Sequence, residues 1–126
     1  MTFISIDGDD VGNKLAAAYL TNDEHRLAEV INHLTTLLSR ICDHLTTNNF
    51  SIIFCGADGI VCKGSSLDAV TFARYISKIG GPDFTFSAGV GNDLQTSFIA
   101  LKYAKSTGKN RVVVSDSGLV FHTVRL

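Results

Sequence analysis

Proline is nearly absent from the 126 residues, and the single Pro82 leaves no room for a proline-rich linker. Cysteine is scarce and odd in number: Cys42, Cys55 and Cys62 show no Cys-x-x-Cys spacing. That fits free, buried thiols in a reducing cytoplasm rather than a disulfide framework. No apolar run approaches the roughly 20 residues that a membrane span requires. The apolar N-terminal run stops at Asp7, too early for a signal peptide. An excess of one charge sign is also missing. The formal net charge of −1 argues against broad nucleic-acid or membrane-surface binding, so no direct DNA contact is expected. Internal repeats and low-complexity segments are lacking. A chain of this length reads as one domain over residues 1–126. It can bury roughly two-thirds of its unfolded surface and needs no disulfide or structural metal to fold.

What is present begins with Phe3-Ile4-Ser5-Ile6-Asp7-Gly8-Asp9-Asp10-Val11-Gly12, a β-type run ending in three carboxylates, interrupted and followed by glycine. Anions crowded at a strand end repel and shift one another's pKa values. A bound cation removes that cost. Hard divalent ions such as Mg²⁺ take oxygen ligands, usually one or two carboxylates together with substrate phosphates. Gly8 and Gly12 leave the backbone free to approach such a ligand. The stretch fits a metal–phosphate site, and it fits a solvated acidic turn. It is not an EF-hand, because Val11 and Ala18 stand at the fifth and twelfth positions and a strand precedes them. Haloacid-dehalogenase-type phosphatases share a strand followed by Asp-x-Asp, but their usual threonine and large α/β sheet are missing. His25, His33, His44 and His122 show no metal-ligand spacing. Ser5, Ser51 and Ser87 fall in strands without a nucleophile-elbow context.

Taken in order, residues 2–7 read as a buried strand and residues 13–20 as a short helix. Thr21 and Glu24 have capping-box spacing. After them, Leu27, Val30, Ile31, Leu34, Leu37, Leu38, Ile41 and Leu45 recur at helical spacing, which predicts a long amphipathic helix ending near Asn48-Asn49. Residues 50–55 and 60–63 read as a hairpin around Gly56-Ala57-Asp58-Gly59, with the glycines supplying the unusual φ values. Ser66 is the expected cap of a helix over 67–79 that Gly80-Gly81-Pro82 stops. Residues 84–90 make a fourth strand with Phe84, Phe86 and Ala88 on one face. Asn92 or Asp93 caps a helix to about Thr107, residues 111–115 make a fifth strand, and residues 119–124 add an edge strand. The order β-α-β-β-α-β-α-β contains the split β-α-β unit of a ferredoxin-like α+β sandwich, with helices on one side of a mainly antiparallel sheet.

In that topology the first strand is central and its end faces the hairpin turn, so Asp7 meets Asp58. Two such carboxylates and a backbone carbonyl after Asp7 can hold one or two divalent ions. Two ions about 4 Å apart can activate an attacking oxygen and neutralise a leaving phosphate. A Gly-Ala-Asp-Gly turn is equally an ordinary hairpin that needs no metal. Lys102 and Lys105 share a helix face, and Lys105 and Lys109 flank the helix end near Gly108. Cations there complement the helix dipole in any protein. Lysine also suits phosphate as a compact point charge.

These residues carry a resemblance to the palm-domain nucleotidyl cyclases, the group containing GGDEF diguanylate cyclases and the polymerase domain of CRISPR Cas10. The nearest likeness is to the minimal CRISPR polymerase (mCpol) family. Ser5-Ile6-Asp7-Gly8-Asp9-Asp10 resembles its metal-binding strand end, and Cys55-Gly56-Ala57-Asp58-Gly59-Ile60 resembles the Gly-Gly-Asp-Glu-Phe hairpin. Phe86-Ser87-Ala88-Gly89-Val90 is similar to the group's Ser-x-Gly-Val strand. Ala100-Leu101-Lys102-Tyr103-Ala104-Lys105-Ser106-Thr107-Gly108-Lys109-Asn110-Arg111-Val112 is similar to its Ala-Leu-x-x-Ala-Lys-x-x-Gly-Arg/Lys-Asn-Arg-Val signature. The resemblance implies a ferredoxin-like palm domain. It also implies two Mg²⁺ or Mn²⁺ ions held by Asp7, the Gly8 carbonyl and Asp58, with Asp7 and Asp58 catalytic. Lys105 and Lys109 match the triphosphate contacts, and Gly8, Asp9, Asp10, Val11, Gly12 and Gly56 fall beside the substrate. The substrates implied are nucleoside triphosphates, ATP first. The implied product is a cyclic dinucleotide or oligonucleotide for antiviral defence, read by a membrane effector. Because closing a two-nucleotide ring takes two substrates, a symmetric homodimer is expected.

Three departures bear on this. Gly59 stands where the signature has a second acid, whose role must pass to Asp9 or Asp10 or be lost. Ala57 replaces the second glycine. The asparagine by which diguanylate cyclases recognise guanine has no counterpart, so guanine specificity does not carry over. A palm that binds a nucleotide without turning it over, as a sensor or regulatory subunit, is the alternative. A phosphohydrolase is a third.

Overall fold

Ile4 and Ile6 alternate with Ser5 and Asp7, so a strand through them has one apolar and one polar face. In the computed structural model, which describes residues 1–116 and 119–126, that strand becomes the middle of the molecule. The elements run β1 (Thr2–Gly8), α1 (Val11–Leu20), α2 (Glu24–Thr47), β2 (Ser51–Gly56), β3 (Gly59–Gly64), α3 (Ala69–Ile79), β4 (Phe86–Gly91), α4 (Leu94–Ser106), β5 (Val112–Ser115) and β6 (Phe121–Thr123). They form one α+β unit around a six-stranded sheet of order β2-β3-β1-β4-β5-β6. All neighbours are antiparallel except β4 and β5. The first four strands are those of the ferredoxin-like arrangement expected from the sequence. No described helix is long and apolar enough to cross a membrane.

The two faces of the sheet are covered differently. Ile4 and Ile6 lie in register with Cys62 and Ile60 of β3 and with Val90 and Ala88 of β4. This face packs against Val30, Leu34, Leu37, Leu38, Ile41 and Leu45 of α2 and Phe72, Ala73 and Ile76 of α3. Those α2 positions are the ones its apolar periodicity marks. On the other face lies α4, where Ala100 and Ala104 cluster with Val113 and the Ser5 and Ser97 hydroxyls are 3.0 Å apart. The expectation that the helices share one side is therefore corrected. The reason is β4, which presents Gly89 and Gly91 to α4. A Cβ on either would collide with the backbone of residues 96–101. The helix backbone rests directly on the strand, and β4 is buried along its whole length.

Local signals are corrected in detail. Asp23 caps α2 by accepting from the Arg26 amide at 2.9 Å. The Thr21 hydroxyl turns back to the Ala17 carbonyl at 2.8 Å and closes α1, so the Thr21–Glu24 capping box does not form. Asp68, not Ser66, caps α3 through the Thr71 amide. Asp93 caps α4 in a reciprocal box with Thr96. Phe84 is buried but precedes β4. In the hairpin turn the left-handed residue is Ala57, at φ 53°, and neither flanking glycine has a positive φ. Of the three free thiols only Cys62 is buried, with Cys42 half-buried and Cys55 exposed.

Candidate active site

Asp7 is the penultimate residue of β1, opposite Gly59 of β3 and Ser87 of β4, on the face that α4 covers. The Gly8 amide donates to the Asp58 carbonyl at 2.9 Å, which pins the hairpin turn to the end of β1. The Asp7 and Asp58 carboxyls are thereby brought together. Burial raises the Asp7 pKa above its ordinary value. Lys105 pulls it back through a hydrogen bond and its charge, while the charge and hydrogen bonding of Asp58 push it up again. Gly59 is small for a local reason: a Cβ there would lie 2.9 Å from the Ile6 carbonyl oxygen and 3.4 Å from Asp7 Oδ1. The second acid of the signature has no space in this turn.

The carboxylates that follow Asp7 do separate jobs. Asp9 turns inward and is 2 % exposed. Its Oδ1 accepts from Ser87 Oγ at 2.7 Å and Lys105 Nζ at 2.8 Å. Its Oδ2 accepts from Thr85 Oγ1 at 2.7 Å and the Asn110 amide at 2.9 Å. Burial opposes ionisation here, but the hydrogen bonds from Lys105, Thr85, Ser87 and Asn110 hold the carboxyl below its usual range. With both oxygens engaged inside the protein, Asp9 organises the site rather than facing a substrate. Asp10 is half-exposed, takes a left-handed φ of 57° and pairs with Lys109 Nζ at 2.6 Å. It is the N-cap residue of α1 yet makes no side-chain cap. Among the described residues no side chain caps the first amides of α1, and a helix N-terminus of this kind attracts phosphate.

Lys105 gathers the site. Its ammonium lies 3.0 Å from Asp7 Oδ2 and donates to the Gly8 carbonyl at 2.9 Å as well as to Asp9. Burial lowers its pKa, but Asp9 and Asp7 outweigh that, and the net shift is upward. Lys102 points elsewhere, over the Phe98 ring. The turn carrying Lys109 is wound through two successive left-handed residues, Lys109 at φ 63° and Asn110 at φ 47°. It is held by the Asn110 amide on Asp9. Thr85, Ser87 and Asn110 are the neighbours of Asp9 to which the sequence reading gave no role: Ser87 and Asn110 stood there only as letters of the Ser-x-Gly-Val strand and of the Asn-Arg-Val signature, and Thr85 not at all.

Val11 and Gly12 line a cleft of about 410 Å³ together with Leu15, Ile31, Leu34, Thr35, Ala57 and Asp58. It opens between α1, α2 and the hairpin turn. Gly56 pairs with Gly59 at the base of the hairpin and serves the turn's geometry. Among the described residues no group of three His, Cys, Asp or Glu side chains is placed to hold a metal ion. The available set is the carboxylates of Asp7 and Asp58 and the Gly8 carbonyl. All are hard oxygens, and two of the three already surround an ammonium. Mg²⁺ commonly binds through one or two carboxylates and completes its shell with water and substrate phosphates. The donor set fits that habit.

Comparison with known proteins bears on the family and the fold. The minimal CRISPR polymerase domain family, mCpol, matches residues 3–115. Among curated proteins no relative matches. Among solved structures, the active GGEEF domain of a diguanylate cyclase from Vibrio cholerae is similar in fold, with a TM-score of 0.64 at 17 % identity, covering 93 % of this chain and 83 % of that one. The palm fold of that cyclase and the family match over nearly the whole chain lead to one assignment: this chain belongs to the minimal CRISPR polymerase (mCpol) domain family.

Proposed function

We propose that the chain is a metal-dependent nucleotidyltransferase that joins nucleoside triphosphates, ATP in preference, into a cyclic dinucleotide or oligonucleotide. Family and fold support the broad class, a nucleotidyl cyclase or polymerase type of function. The observation that carries the finer reading is the meeting of Asp7, the Gly8 carbonyl and Asp58 with Lys105, Lys109 and the uncapped N-terminus of α1. Oxygen donors for a divalent ion and cationic groups for a triphosphate thus share one strand end.

In the reaction a ribose hydroxyl of one nucleotide attacks the α-phosphorus of another. A P–O bond forms, the bond to the β-phosphate oxygen breaks, pyrophosphate leaves and the hydroxyl proton passes to solvent. Mg²⁺ or Mn²⁺, held by Asp7, Gly8 and Asp58, would lower the hydroxyl's pKa and offset phosphate charge. Lys105 and Lys109 hold the β- and γ-phosphates, and the amides at the start of α1 receive phosphate oxygens. Most of the rate comes from positioning and fixed charge. The cleft between α1 and α2 takes the base on an apolar floor. The preference for adenine rests on the family resemblance. Two protomers facing each other close the ring. The family resemblance suggests antiviral defence and a membrane effector for the product.

Gly59 favours a second reading, a palm that binds nucleotide without turnover. Mass spectrometry of products after incubation with all four nucleoside triphosphates and Mg²⁺ or Mn²⁺ separates the two. A cyclic product with pyrophosphate supports the enzyme. Tight nucleotide binding with unchanged nucleotides supports the sensor.

A further inference from the structure

The oxygens on β1 that would receive a divalent ion are already in contact with a cation. Lys105 Nζ touches Asp7 Oδ2 at 3.0 Å, the Gly8 carbonyl at 2.9 Å and Asp9 Oδ1 at 2.8 Å. These three contacts are not equivalent. Asp9 is 2 % exposed and its other donors are neutral, so without the ammonium it would be a buried charge with no opposite charge beside it, a costly state. The Asp7 side chain is 32 % exposed, and water or an ion can replace the ammonium there. The lysine itself has a flexible four-carbon stem and three rotatable donors, and its own side chain is 22 % exposed. It can keep Asp9 and exchange its other two partners.

We propose that Lys105 is the resident counter-cation of this site, which a divalent ion must displace from Asp7 and Gly8 while Asp9 keeps hold of the ammonium as a pivot. The inference rests on the reading above in one respect, that a divalent ion belongs at Asp7 and Gly8. An ammonium on Asp7 Oδ2 and the Gly8 carbonyl occupies lone pairs that an ion would use, and two cations at contact distance repel, so the two compete for these oxygens. Without a triphosphate the site is neutralised internally and binds a divalent ion weakly. A triphosphate offers the displaced ammonium new oxygens, so ion and nucleotide bind better together than apart.

The test is Mn²⁺ binding in the absence of nucleotide, read from the free-Mn²⁺ electron paramagnetic resonance signal. It compares the wild-type chain with Lys105→Met and with the double variant Asp9→Asn/Lys105→Met. Lys105→Met should bind Mn²⁺ more tightly by about 5- to 150-fold, the usual span of coupling between linked ligands. The double variant removes one charge of each sign and leaves no unpaired carboxylate at position 9. Tighter binding there shows that freed oxygens, rather than lost repulsion, are the cause, and it keeps the test valid if the single variant folds poorly. Equal or weaker binding in the folded variants overturns the displacement and leaves the nucleotidyltransferase reading standing. No Mn²⁺ binding in any of the three overturns both.

Discussion

Asp9→Ala is the substitution that tests the internal logic of the site. The wild-type carboxylate accepts from Lys105 at 2.8 Å, Thr85 and Ser87 at 2.7 Å and the Asn110 amide at 2.9 Å. Removing one partner of a buried ion pair costs about 3–5 kcal/mol. Leaving buried donors without an acceptor costs about 1–3 kcal/mol. The first cost does not apply in full, because Lys105 keeps Asp7 and Gly8 and is not left uncompensated, and the second is eased where the Thr85 and Ser87 hydroxyls rotate. The expected loss is therefore about 1–3 kcal/mol, set mainly by the unmet buried donors, against a total of about 5–15 kcal/mol for a domain of ordinary stability. At about 3–5 °C per kcal/mol for a chain of this length, Tm should fall by roughly 3–15 °C. Urea unfolding followed by circular dichroism measures it. Asp9→Asn keeps the volume and one acceptor and should lose less. The pH dependence has a definite sign. The Asp9 carboxyl is depressed below its ordinary 3.8, so its stabilisation is present above pH 3.8 and disappears as pH falls through the lower folded value. The gap between wild type and Asp9→Ala should narrow in acid. A loss under about 1 kcal/mol at pH 7 would refute the assignment of Asp9 as the buried anchor.

Gly59→Glu, which restores the acid of the family signature, should lose about 1–3 kcal/mol in urea titration, because a Cβ there meets the Ile6 carbonyl oxygen at 2.9 Å. A gain in turnover at unchanged stability would contradict the steric account. Ala57→Gly should raise the melting temperature slightly. Relief of the left-handed conformation at φ 53° is worth about 1–2 kcal/mol and is partly offset by the looser unfolded chain, about 0.4–1 kcal/mol. An unchanged or lower melting temperature would count against that balance. Asp7→Asn should remove turnover while stabilising the metal-free fold at pH 7. The Asp7 pKa is raised above 3.8, so its ionised form costs stability at neutral pH and the cost fades as pH falls toward 3.8. A lower melting temperature for Asp7→Asn in chelator at pH 7 would reverse that sign.

Much of this architecture is legible in the sequence because it follows from period and order. The apolar positions of α2 face the sheet as their 3.6-residue spacing demands. Once β1 is central, Asp7 and Asp58 have to meet. The parts that are not legible depend on distant partners. Asp9 reads as one of three equivalent acids until Asn110, 101 residues later, and Lys105 on α4 arrive to bury it. Gly89 reads as a motif letter, whereas its function is to admit α4 to the face opposite α2 and α3. Thr21 and Ser66 are sound caps by local chemistry. Asp23 and Asp68, two residues further on in each case, prevailed because the chain enters each helix at that later point. The left-handed residue of the hairpin could not be assigned from composition, since glycine is merely permissive and the turn placed Ala57 there instead.

The measurement that bears most directly on the central claim is pyrophosphate release coupled to product identification. Wild type and Asp58→Asn are compared with ATP, in Mg²⁺ or Mn²⁺ and again in chelator. The account expects pyrophosphate in step with a cyclic adenine nucleotide from wild type with metal, and neither from Asp58→Asn or in chelator. Equal turnover by Asp58→Asn, or turnover that survives chelation, would contradict it.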